Sequence, residues 1–201
     1  MSAPLILSLD TSAAHCAAAV LLGDKVLATR EEPMAKGQAE RLLVLAQELL
    51  TEAGKTFDQL DAIGVGIGPG NFTGIRIAVS AARGLAMGLG IPAVGVSAFQ
   101  ALQYGTSAPC ICAVDGRRDM VFLQGFEGAP FQEPALHART DIPPDARVIG
   151  AFGQPPAYPV AVAIGHIAAE QYGTVSQPPA PLYLRPADAA PARDAPPQIL
   201  P

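Results

Sequence analysis

The chain has 201 residues, enough for one large domain or two small ones with a real core. Half of them are hydrophobic and 15% are charged, which excludes a disordered or nucleic-acid-coating polypeptide. A net charge of −5 repels phosphate backbones at long range, so the chain alone is not built to grip tRNA or DNA.

The opening MSAPLILSLD lacks the basic flank of a signal peptide and reads as a strand over Leu5 to Asp10, with an acid at its carboxyl end. Cys16 to Leu22 is a second strand, Gly23-Asp24 a tight turn, and Lys25 to Glu32 a third strand running back. Helical spacing of Leu42, Leu43, Leu45, Ala46, Leu49 and Leu50 predicts a helix over Gln38 to Ala53, ended by Gly54. Ala62 to Ile67 is a fourth strand, followed by a glycine loop, a helix over Phe72 to Gly88 and a fifth strand at Ala93 to Val96. After a helix near Ser97 to Tyr104, the opening pattern recurs. Cys110 to Asp115 is again a strand ending in an acid, and Met120 to Phe126 pairs back on it. The second copy is thin, with one further helix at Val160 to Tyr172. These elements divide into an N-terminal lobe over residues 1–104, a reduced lobe over 105–175 and a tail over 176–201 that holds eight of the twenty prolines. Within the tail, Leu182, Tyr183 and Leu184 form an apolar piece expected to dock on the body.

Cys110 and Cys112 fall on one face of a strand, and no ligand pair accompanies them or Cys16. All three read as buried free thiols of a reducing cytoplasm. His15, His137 and His166 stand singly in sequence. No apolar run approaches the ~20 residues a membrane span needs.

The stretch IGPGNFTGIR carries the densest signal. It has no lysine to neutralise outer phosphates, so it is not a P-loop, and it follows the fourth strand without the dinucleotide spacing. Gly68, Pro69 and Gly70 instead make a sharp strand-to-helix corner, and Asn71 or Thr73 can cap the helix. That helix places Gly74, Ala78, Ala81, Ala82 and Leu85 at three- and four-residue steps. Such a small-residue face either packs inside the chain or admits a helix of another subunit.

Taken together, LSLDTSAAHCAAAV, QAERLLVLAQELL, IGVGIGPGNFTGIRIAVSAARGLA and IPAVGVSAFQAL resemble the bacterial TsaB (YeaZ) family, closely across residues 5–102. The resemblance implies an α/β, actin-like ATPase-domain (ASKHA) fold of two related lobes with mixed sheets, the second reduced. It implies a noncatalytic dimerisation subunit of the machinery that makes threonylcarbamoyladenosine at position 37 of tRNA. The chemistry there is transfer of the threonylcarbamoyl group from its AMP adduct to the adenine amine by the paralogue TsaD. The ATPase TsaE and also TsaC are further implied partners, with tRNA reached only through the complex, a homodimer in isolation, no membrane and a cytoplasmic location. TsaD carries a His-x3-His metal pair at positions that fall on Ala98 and Leu102 here, and neither side chain can bind a metal. No cofactor is therefore expected on this chain, ATP and metal belonging to the partners.

The partner-binding residues implied are Glu40, Arg41, Thr73, Gly74, Arg76, Ile77, Ala78, Ala81 and Ala82. Asp10, Thr11 and Ser12 form a candidate vestigial nucleotide loop, which equally reads as a turn with local side-chain hydrogen bonds. Two other readings compete. One is an ATP-dependent small-molecule kinase or carbamoyl transferase holding magnesium through Asp10 and Asp115. The other is a metallopeptidase, opposed by Ala98 and Leu102.

Overall fold

The computed structural model describes residues 3–184. The first sheet is built from β1 (Leu5–Asp10), β2 (His15–Leu22), β3 (Lys25–Pro33), β4 (Ala62–Gly66) and β5 (Ala93–Val96) in the order β3-β2-β1-β4-β5. β1 and β4 are buried at every position, as near-continuous apolar strands covered on both faces should be. Leu7, Leu9, Val20, Ile63 and Val65 meet α1 (Gln38–Glu52) and α2 (Phe72–Leu89) on one face. Ile6, Ala62, Val94 and Val96 meet α3 (Ala98–Gln103) and α4 (Val160–Gln171) on the other.

α4 follows the second sheet in the chain, and the sequence reading counts it with the second lobe. It lies on the first sheet instead, with Ser8 donating its hydroxyl to the Ala161 carbonyl at 2.6 Å. Eight consecutive residues, Ala161–Ala168, are buried, so the helix is apolar all round and enclosed. The close approach needs Gly64, where a Cβ would sit 2.9 Å from the Ala168 methyl.

The second sheet contains β6 (Cys110–Arg117), β7 (Met120–Phe126), β8 (Ala135–Ala138) and β9 (Val148–Gly150) in the order β8-β7-β6-β9. It repeats the first sheet's path: a meander of three antiparallel strands, then a parallel strand beside the first of them. This doubled topology, without a fifth strand in the second copy among the described residues, is the two-lobed actin-like (ASKHA) fold with a reduced second lobe. β8 and β9 are absent from the sequence reading. Each spans four residues or fewer, and Pro134, Pro143 and Pro144 interrupt the alternation around them. Of the proline-rich tail, 176–184 is described; the rest of that expectation lies outside the described residues.

Candidate functional site

The glycine loop runs from the end of β4 to α2, and its glycines are fitted to a neighbour within the chain. Gly68 has φ +89, the backbone conformation that favours glycine. Gly70 is needed for a different reason than the corner: a Cβ there would strike the Ser12 carbonyl, and one at Gly74 would strike that of Thr11. The two loops are also stitched together. The Asn71 amide donates to the Ser12 carbonyl at 2.6 Å, and the Thr11 hydroxyl donates to the Gly74 carbonyl at 2.6 Å. Asn71 caps α2, its side-chain oxygen accepting from the amides of Thr73 and Gly74 at 3.1 Å each. A helix N-terminus offers its amides to anions, and here the chain's own cap engages two of them.

Asp10 closes the same corner. Its Oδ2 accepts from the Ser12 hydroxyl at 3.0 Å and lies 2.5 Å from His15 Nε2. Its Oδ1 is buried over Gly66 without a hydrogen-bond partner among the described residues. His15 also approaches Glu31, Nδ1 to Oε1 at 3.5 Å. Burial is the largest single influence on this imidazole and opposes its charged form, but Asp10 and Glu31 together outweigh it and raise its pKa. Asp115, the counterpart in the second lobe, is exposed and accepts from the Arg117 amide at 2.8 Å, in a turn where Arg117, Arg118 and Asp119 all have positive φ. Leu102 packs into the second lobe's apolar cluster. All three cysteines are free and buried, and burial pushes the Cys16 thiol up to about 11.

The predicted partner-binding residues separate into two groups. Ala78 and Ala82 are 0% exposed and belong, with Gly74, to the core between α2 and the sheet. The small-residue face therefore packs inside the chain, which corrects the expectation that these three meet a partner: small side chains let α2 lie close on β1 and β4. Arg41 is engaged as well. Its guanidinium donates to both oxygens of Glu32 and both of Glu48 at 2.6–2.7 Å, tying α1 to β3. Glu40, Thr73 and Arg76 are exposed, and Ile77 and Ala81 are partly so.

The outward side of the two helices holds large apolar residues that are absent from the predicted partner-binding set. Leu43 (44%), Val44 (51%), Phe72 (53%) and Met87 (84%) are half of the exposed large hydrophobics among the described residues, all on α1 and α2. For Leu43 this corrects the predicted stripe of α1: the buried face is Leu42, Leu45, Ala46, Leu49 and Leu50, and Leu43 and Val44 fall outside it.

A family model described as "TsaD: tRNA N6-adenosine threonylcarbamoyltransferase" matches residues 30–129. An uncharacterized protein of Mycobacterium tuberculosis (strain ATCC 25618 / H37Rv) is 32% identical over 198 residues, covering 92% of this chain and 94% of its own length. The tRNA threonylcarbamoyladenosine biosynthesis protein TsaB of Escherichia coli (strain K12) is 32% identical over 127 residues, covering 61% of this chain and 54% of that protein. The chain spans about half the length of the first curated relatives it matches. Among solved structures, YeaZ from Pseudomonas aeruginosa superposes with a TM-score of 0.68 at 25% identity, covering 92% of this chain and 100% of that one.

Proposed function

The chain belongs to the TsaB (YeaZ) family, and from that membership we propose that it is a noncatalytic subunit of the complex that makes threonylcarbamoyladenosine in tRNA. It binds the catalytic paralogue TsaD, holds it in its active arrangement and contributes to a platform for the ATPase TsaE. TsaD carries the metal, and the partners carry the ATP.

The observation that carries this reading is the set of exposed apolar side chains on α1 and α2, Leu43, Val44, Phe72 and Met87, on helices packed against the first sheet. Large apolar groups left exposed on the same two elements mark an interaction surface, and a standard interface takes only about 800 Å² per partner. The corner at Asp10 supports the noncatalytic part of the reading: Oδ2 is held by Ser12 and His15 and the Thr11 hydroxyl by Gly74, while Oδ1, without a partner among the described residues, is buried over Gly66. A kinase or carbamoyl transferase using Asp10 and Asp115 gains no support from an Asp10 carboxylate buried over Gly66.

Co-purification with TsaD tests the proposal. The wild-type chain should retain TsaD and restore tRNA modification, and alone should self-pair and turn over no ATP. Turnover of ATP or a metabolite by the isolated chain would overturn it.

A further inference from the structure

Beyond α4 the chain crosses both lobes as a strap without helix or strand over 175–184. Pro179 packs where Gly95 of β5 leaves room for no side chain, a Cβ there lying 3.0 Å from the proline ring. The Leu182 amide donates to the Ile67 carbonyl at 2.8 Å, and Leu184 joins the second lobe's apolar cluster with Phe99, Cys110 and Phe122. Tyr183, between them, is half-exposed and lies on the first turn of α2. Its ring centroid is 5.1 Å from that of Phe72, and its hydroxyl accepts from Arg76 Nε at 2.7 Å. The Arg76 guanidinium carbon stands 3.9 Å above the Phe72 ring and 5.7 Å from the Tyr183 ring.

This guanidinium is held on an aromatic floor and by one of its donors, yet among the described residues it has no carboxylate within ion-pair distance. Arg30 and Arg41, by contrast, are paired with glutamates, Arg30 with Glu48 and Glu52 and Arg41 with Glu32 and Glu48. α2 contains no acidic residue, and Arg83, also exposed, follows Arg76 by two turns, about 10 Å along the same side. A planar cation fixed beside apolar surface, with its terminal nitrogens unengaged, is pre-organised for bidentate capture of a carboxylate and loses little freedom when one arrives.

We propose that Arg76 receives a carboxylate of the partner subunit, with Tyr183 of the strap as its positioning residue and Arg83 meeting a second acid about 10 Å along α2. This rests on the docking reading above and adds the chemistry of the partner's contact to it. The strap thereby has two roles, joining the lobes on its inner side and completing the docking face on its outer side.

The test is the dissociation constant of the full chain with TsaD, measured by calorimetry for wild type, Arg76→Ala, Arg76→Lys, Tyr183→Phe and the Arg76→Ala/Tyr183→Phe pair, with folding verified by thermal melts. Loss of a charge-assisted fork should weaken binding by about 10- to 100-fold in Arg76→Ala, and lysine should recover only part of it. Tyr183→Phe should weaken binding by about threefold to tenfold in the wild-type background and add nothing to Arg76→Ala, since it acts through that side chain. Wild-type affinity should fall with salt more steeply than that of Arg76→Ala. If the wild type binds and every variant stays within about twofold of it, where a lost charged bond predicts at least tenfold, the assignment of Arg76 is wrong while the docking reading stands. If the wild type forms no complex, the docking reading falls first.

Discussion

Gly74 shows how a missing side chain can decide a local structure, because the carbonyl of Thr11 occupies the space a methyl group would need. Gly74→Ala should therefore push α2 off the Asp10 loop and cost about 1–3 kcal/mol, read from denaturant midpoints. Gly84 is the control, exposed on the same helix with open space around it, and Gly84→Ala should be neutral or stabilise by up to about 1 kcal/mol. His15 gives a pH-dependent counterpart. Its folded pKa is raised above the ordinary 6.5, so its pairing with Asp10 and Glu31 contributes fully below that pH and is lost as pH rises through the raised value. The melting temperature of wild type should exceed that of His15→Gln most at acidic pH, and the gap should close on the alkaline side. A constant gap would mean that His15 acts only by packing.

At the scale of elements, α1 and α2 are two-sided, and substitutions on the two sides should have opposite signatures. Leu43→Asp with Val44→Asp should leave the melting temperature within a few degrees and abolish co-purification with TsaD, because both side chains face outward. Ala78→Arg should unfold the first lobe, since a long cation is forced into a site with no exposure. The difference explains what the sequence could reveal here. A periodic stripe announces that a helix has a buried side, as in α1, and strand runs such as LILSLD announce burial on both faces. Periodicity does not say whether a stripe of alanines faces the chain's own sheet or a second molecule; α2 used its stripe for the former. The exposed apolar residues of the proposed docking surface were not legible either: Leu43 reads as part of the α1 stripe, and Val44 and Met87 lie outside any pattern. β8 and β9 were illegible because strands so short depend on neighbours that only the fold brings together.

For the whole molecule, the repeat of an acid-ended strand and hairpin foretold two lobes of one topology, and the two sheets have it. That Leu182 to Leu184 dock on the body was legible from their apolar character, but where they and α4 dock was not, because they act on partners far away in sequence: Ser8 with Ala161, Ile67 with Leu182. The first lobe is therefore not a self-sufficient unit. A fragment of residues 1–104 should bare Ile6, Ala62 and Val94 to water, and should show no cooperative melt where the full chain does. Leu182→Pro, which removes the amide donated to Ile67, should lower the melting temperature of the full chain.

The late position of α4 also sets an order of events at birth. A ribosome releases all five strands of the first sheet, then the entire second sheet, before the helix that covers the first sheet emerges. At common rates of synthesis the nascent chain carries one largely uncovered apolar sheet face for on the order of ten seconds. Starving a cell of nascent-chain chaperones should therefore deplete this protein before it affects proteins whose sheets are roofed as they are made.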